Sequence, residues 1–324
     1  VDGENANWKL GAEDKLELFG TTYTLDKDGV TFLADNVEIG GAGAAEVAEI
    51  KESATVVLPE SGTTLEQLQT AVGATTATFD ANDNNLSAAL AAEAGKLSKT
   101  DADAKLEEVN KDIQNEADKK DTLVVVPYLN IELKAYNEAS DEKAAVLKME
   151  ITPMIKIQAV KGENDDNPVV VESGKKIADT TNMGPVVIAF TVPTGFVDGT
   201  PSLYVQHKSY IYTATYSTDH YEFTNPHGFS EFAITKDNPA TVKVGDVEYL
   251  TLADAVKSVD KDAEVTITLL NKNQTAVTVD KTCTIIIAPG ATGATADEMK
   301  AMLKAGSGLK VTTTEVDGNI KFVF

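Results

Sequence analysis

Arginine is missing from all 324 positions, and the 28 basic residues are lysines throughout. Arginine is the side chain that grips phosphate or carboxylate with two parallel hydrogen bonds and stacks on bases. Against those lysines stand 51 acidic residues, and the net charge of −23 repels a phosphate backbone. Nucleic acid and anionic membrane surfaces are therefore excluded as expected partners. Cysteine occurs once, so the chain holds no internal disulfide and no thiolate-based zinc site. Cys283 lies in a strand-like run, Thr282 to Ile287, where a buried inert thiol is expected. No apolar run approaches the ~20 residues of a membrane helix, so no membrane insertion is expected in this segment. The chain opens at Val1 with neither a basic nor an apolar leader region. A signal peptide, if there is one, is expected to have been removed or to lie upstream.

What is present is strand and turn chemistry. Over residues 1–40, Leu16–Phe19, Thr21–Leu25 and Val30–Leu33 are separated by Gly20 and by Lys27-Asp28-Gly29. An Asp-Gly pair between β-rich runs is a hairpin signal, so this region reads as a meander. Thr55–Leu58 reads as a short strand. Thr63–Val72 carries threonine caps, an early Glu66 and apolar 65/68/72 spacing, which predicts a helix ending at Gly73. Leu86–Ala94 and Asp101–Asp118 are the next helices, the second with Leu106, Val109 and Ile113 on one face. From Thr122 the pattern turns to sustained β: a long strand bent at Pro127, then short runs out to residue 234 separated by turn residues. Asp237-Asn238-Pro239 reads as a linker. Beyond it come a hairpin around Gly245-Asp246, a helix over Leu252–Val259, strands at 264–270, 275–279 and 282–288, a short helix at 295–304 and two last strands. The expected fold is mainly β with α+β parts: a central antiparallel β-sandwich flanked by smaller α+β modules. The expected division is 1–99, an α+β module of unknown type; 100–237, helix plus sandwich; and 238–324, a small α+β module.

Several motifs imitate known chemistry. Val37–Glu46, with Gly40, Gly41 and Gly43, imitates a strand entering a dinucleotide turn, but the third glycine is missing and no βαβ repeat follows. No cofactor is expected. Leu58-Pro59-Glu60-Ser61-Gly62 imitates a sorting signal, yet a capped helix follows it, so it reads as a turn. Asp80, Asn82 and Asn84 place oxygens at positions 1, 3 and 5 of a calcium loop, but Asn85 replaces the glycine and Ala91 the bidentate glutamate. Calcium is thus a weak candidate there, as it is at Asn164-Asp165-Asp166-Asn167. His207, His220 and His227 read as structural rather than zinc-binding. No serine sits in a nucleophile elbow, and no catalytic residue is expected. Tyr204, Tyr210, Tyr212 and Tyr216 are the candidate carbohydrate-binding residues. Tyr210, Tyr212 and Tyr216 alternate onto one sheet face, which would stack on sugar rings if exposed and form ordinary core if buried. Lys134, Lys148 and Lys156 are strand lysines available to an intramolecular isopeptide bond.

Asn225-Pro226-His227-Gly228-Phe229-Ser230-Glu231-Phe232-Ala233-Ile234, followed by Val242-Lys243-Val244-Gly245-Asp246-Val247-Glu248-Tyr249-Leu250-Thr251-Leu252-Ala253-Asp254-Ala255-Val256, resembles a module pair. It is found in modular exported cell-surface proteins of Gram-positive gut anaerobes, where a sandwich ending in a GFSxF strand precedes a VGDxEYxTLADAV unit. The resemblance covers roughly residues 120–290. It implies a secreted or cell-wall-attached location and carries no catalytic residue with it. The expected function is a non-catalytic structural or adhesive segment, a spacer with a binding surface for cell-wall, glycan or host-protein ligands. Alternatives are a carbohydrate-binding component of a polysaccharide-utilisation system, an S-layer-type lattice protein, and a hydrolase built on the first hundred residues.

Overall fold

The structure is a computed structural model that describes residues 8–10, 15–18, 21–25, 32–34, 36–40, 44–52, 56, 58, 62–79, 84–137, 145–162, 165–178, 180 and 183–324. Nine strands form a ring: β1 (Ala44–Glu52), β2 (Thr76–Thr78), β3 (Thr122–Asn137), β4 (Val146–Val160), β5 (Val186–Phe190), β6 (Leu203–His207), β7 (Tyr210–Ser217), β8 (His220–Asn225) and β9 (Glu231–Thr235). Around the ring the order is β1-β3-β4-β9-β6-β7-β8-β5-β2, and β2 pairs back onto β1. Every neighbour is antiparallel except β1–β3, which is parallel. A parallel pair needs a long crossover. Among the described residues it contains three α-helices: α1 (Leu65–Gly73), α2 (Asn84–Ala94) and α3 (Lys99–Asn110).

The chain is mainly β as expected, but the expected central antiparallel sandwich is a closed, mixed barrel. The difference lies in two strands that belong to both faces. β7 pairs with β6 through Ala214 and with β8 from Thr215 onward; β1 pairs with β2 through Glu46 and with β3 from Val47 onward. Bending strands of this kind close a sheet and remove its edges.

β3 and β4 hold prolines inside long ladders, where a missing N–H normally breaks pairing. Both fall where the partner changes. A short strand, Val37–Ile39, pairs with Leu123–Val125 and β1 with Leu129–Leu133, leaving Pro127 between them. On β4, β9 covers Val146–Glu150 and the outer strand Val169–Lys176 covers Met154–Ala159, leaving Pro153 between.

One apolar core fills the barrel and continues under the helices. It includes Leu33, Leu68, Leu90, Leu106, Leu129, Leu147, Phe190, Val205, Phe223 and Phe232. The expected division at residue 99 runs through this core, because side chains on both sides of it pack together. α1 is as expected, with a capping box between Thr64 and Gln67. α3 stops at Asn110 rather than 118; Asn110 instead clasps the backbone of Lys120 through both amide atoms, at 2.7 and 2.8 Å. Trp8–Leu10, Lys15–Leu18, Thr21–Leu25 and Phe32–Ala34 pair as a four-stranded antiparallel sheet. The Asp28-Gly29 turn expected there lies outside the described residues.

The C-terminal part has a second core. Its sheet comprises β10 (Val242–Val244), β11 (Val247–Tyr249), β12 (Glu264–Leu269), β13 (Thr284–Ala288), β14 (Thr312–Val316) and β15 (Asn319–Val323). α4 (Leu252–Ser258) and α5 (Ala296–Lys300) pack on it, and β10 and β11 form the hairpin expected around Gly245-Asp246. Strands 277–279 and 303–305 form a small parallel pair beside it. Cys283 is buried here, and burial pushes its thiol pKa up, as befits an inert packing residue.

Candidate functional site

The two cores meet on β7. Tyr210 pairs with Tyr249 and Ile211 with Glu248, and Leu250 N–H donates to the Ser209 carbonyl at 3.1 Å. The barrel sheet therefore runs on through β11 and β10 to β12 and beyond. Asp237-Asn238-Pro239, expected as a linker, only carries the chain between paired strands. Asn238 is itself fixed, its amide donating to Glu248 at 2.9 Å and its carbonyl accepting from Ala240 N–H.

Four aromatic side chains converge at this junction from three elements. The turn Asn225–Gly228 is organised by Asn225, which is buried and accepts from His227 N–H while donating to the Gly228 carbonyl. Gly228 has φ 73°, a left-handed value that suits glycine. The turn lays His227 flat on Tyr210, with ring centroids 3.6 Å apart and planes within 4°. Tyr212, next on the same face of β7, shares a 2.5 Å hydrogen bond between its hydroxyl and His227 Nδ1. Tyr249 approaches Tyr210 at 5.4 Å.

Beneath the turn, His207 is fully buried and stacked on Phe232 at 4.2 Å. Its Nδ1 faces the Glu231 carbonyl and its Nε2 the His227 carbonyl, at 3.1 and 3.3 Å. Burial lowers the pKa of both His207 and His227, and it raises those of Tyr210 and Tyr212.

This arrangement decides what the tyrosines do. Tyr212 packs against the barrel core and Tyr210 against the C-terminal core. They are same-face neighbours, as expected, but both are spent on packing rather than displayed as a flat platform. Tyr216 is 41% exposed and meets Tyr221 edge-on at 5.1 Å, beyond the point where β7 has crossed to β8. Tyr204 sits half-buried on β6 and has no ring contact with the others among the described residues. The four candidates do not form one surface.

Beside the stacked rings the junction encloses an open cavity of about 390 Å³, walled by Tyr210, His227, Lys208, Lys257 and Asp254. Lys208 occupies the β6–β7 turn with φ 54°, a conformation costing a non-glycine residue roughly 1–2 kcal/mol. Its ammonium donates to the His227 carbonyl at 2.9 Å. Neither lysine was singled out from sequence. Lys208 is a turn residue and Lys257 the outer face of an amphipathic helix, and only the fold puts them around one space.

The other sequence candidates separate. Asp80 and Asn82 lie outside the described residues, and Asn84 is the first residue of α2. At the second calcium candidate, the Lys120 ammonium occupies the oxygen-rich turn, bonding Asp165 at 2.6 Å and the Asn167 carbonyl at 2.8 Å. The Lys120 hydrogen bond, with backbone N–H groups of Asn167 and Lys161, holds the Asp165 carboxyl below its usual range. Among the described residues no cluster of three or more His, Cys, Asp or Glu side chains could hold a metal ion. His220 is bracketed by Glu222 and Asp219, which raise its pKa, and lies apart from the stacked histidines. Lys134 binds Glu132 and Glu150, Lys148 faces Glu231, and Lys156 lies over the Tyr128 ring. A further concavity of about 470 Å³, between α2, α3 and the outer strand, is internally neutralised: Lys175 and Lys96 hold Glu93, and Lys105 holds Glu172. Burial pushes the Glu93 carboxyl up, but the two lysines outweigh it and its pKa is lowered. No protein-family model, no curated protein and no solved structure matches this chain.

Proposed function

We propose that this chain is a rigid, non-catalytic segment of an exported bacterial surface protein, holding a binding surface away from the cell wall. The observation that carries the reading is the unbroken sheet across the junction. A modular protein with flexible linkers bends between modules. Here β7 pairs with β11, and Tyr210 and Tyr212 send adjacent rings into two different cores. Interdomain motion would have to break backbone ladder bonds and expose both rings, so the two cores move as one body. A filled barrel interior fits the same role. A gap inside it, lined by Met149, Phe190, Val205 and Phe232, is only about 10 Å³. Extracellular placement follows from the resemblance of the 225–256 stretch to surface-protein modules and is part of the proposal.

The test is alignment of the full chain in a dilute liquid-crystalline medium, with residual dipolar couplings read separately for residues 84–235 and 242–323. One shared alignment tensor is the expected result. Two tensors of different magnitude would mean independent modules and would end the rigid-spacer reading.

A further inference from the structure

We propose that the junction cavity is a binding site for a compact, ring-bearing organic carboxylate of the uronic-acid class, held by Lys208 and Lys257. The cavity's size, about 390 Å³, falls within the ~300–1,000 Å³ usual for small-molecule sites. It lies between two cores, where such sites concentrate.

The charge on its walls is unbalanced. In a chain of −23 net charge, most available counter-ions for a lysine are carboxylates. Yet Lys208 is tied to the His227 carbonyl oxygen, and among the described residues Lys257 forms no ion pair. Asp254 shares the cavity wall three residues before Lys257 on α4; its carboxylate accepts from Thr251 Oγ1 at 2.6 Å, keeps its charge and offsets one of the two lysines. Two lysines and one carboxylate thus line one concavity, which keeps a net positive charge.

The remaining wall selects the kind of anion. A lysine ammonium is a point charge that takes phosphate or carboxylate alike. Tyr210 and His227, packed on each other, add partly apolar ring atoms to the wall, which a bare inorganic anion has no atoms to use and a ring does. A sugar or similar ring bearing one carboxylate satisfies both features. This proposal stands whether or not the chain acts as a spacer, because it depends only on the cavity.

The full-length, isotope-labelled protein is titrated with glucuronate, glucose and inorganic phosphate while the His227 ring and the lysine side-chain signals are followed. Glucuronate is expected to shift these signals at millimolar concentration, with glucose leaving them unmoved. The double variant Lys208→Met, Lys257→Met is expected to weaken glucuronate by roughly tenfold or more at an unchanged melting temperature. If that variant unfolds, Lys257→Met alone, on the solvent face of α4, gives the same comparison with a smaller loss. Equal response to phosphate would reassign the cavity to simple anions and overturn the proposal. So would an absence of shifts, or glucuronate binding that survives the lysine changes.

Discussion

At the scale of single residues, buried polar groups decide most. Thr75 is fully buried, its hydroxyl has no hydrogen-bond partner, and it borders the small barrel void. An orphaned buried hydroxyl costs about 1–3 kcal/mol, so the isosteric change Thr75→Val is expected to stabilise the protein by about 1 kcal/mol. A urea midpoint that falls instead would show that a water completes the site. His207 is also fully buried, with the Glu231 carbonyl and the Ser230 hydroxyl at its Nδ1 and the His227 carbonyl at its Nε2. Its folded pKa lies below the ordinary 6.5, so the unfolded chain takes up the proton first. Stability is then full above that value and declines as the pH falls below it, by at most ~1.4 kcal/mol per pH unit from this group. Denaturant midpoints measured from neutral to mildly acidic pH should show the decline. His207→Gln should be less stable at neutral pH but should lack this component of the slope. Tyr212→Ala is expected to cost about 3 kcal/mol through lost core packing. A glycan pull-down using that variant would therefore report unfolding as well as lost contact, and thermal melts must accompany it.

At the scale of elements, partner changeover explains where the chain tolerates proline. Pro127 sits between the segments of β3 that pair with Val37–Ile39 and with β1, whereas Val125 lies within the ladder to Ile39 and Ile157 and is fully buried. Pro127→Ala is expected to be nearly neutral. Val125→Pro is expected to cost ~3 kcal/mol or more, since it removes a ladder donor and forces a clash. Similar losses for both in equilibrium unfolding would contradict the gap interpretation. The same scale shows what pattern reading can and cannot see. α1 was legible because Thr64, Glu66, Leu68 and Val72 put cap, dipole and apolar stripe in register within ten residues. β1 was not legible. Its sequence, Ala-Ala-Glu-Val-Ala-Glu-Ile-Lys-Glu, is rich in helix formers, and a bulge between Val47 and Glu49 re-phases the inward positions to Ala45, Val47 and Ile50. A strand whose alternation slips by one residue carries no period of two to detect.

At the scale of the whole molecule, the charge of −23 acts on every contact. Ion pairs such as Lys134 with Glu150 and Lys321 with Glu264 are partly exposed, and local pairing cannot offset the excess of carboxylates. Raising the ionic strength from ~0.01 to ~0.1 M shortens the screening length from ~30 to ~10 Å, which weakens the general repulsion more than these short pairs. The urea midpoint is therefore expected to rise over that range; a fall would mean that the surface pairs outweigh the repulsion.

What the sequence determined by itself was local: the absence of arginine and the charge excess, the caps of the helices, the β10–β11 hairpin at Gly245-Asp246, and the mainly β character after Thr122. Each depends on residue type or on spacing within about ten positions. Tertiary structure alone decided that the sheet closes into a barrel, because closure depends on β1 and β7 changing partners midway. It decided that Leu33, Leu68, Leu90 and Leu97 share a core with the strands that follow. It assigned Tyr210 and Tyr212 to two different cores, and it brought Lys208 and Lys257 to one cavity. Those outcomes rest on pairings between residues dozens of positions apart. Alternation along a strand tells which side chains share a face, but it cannot tell what that face will be packed against.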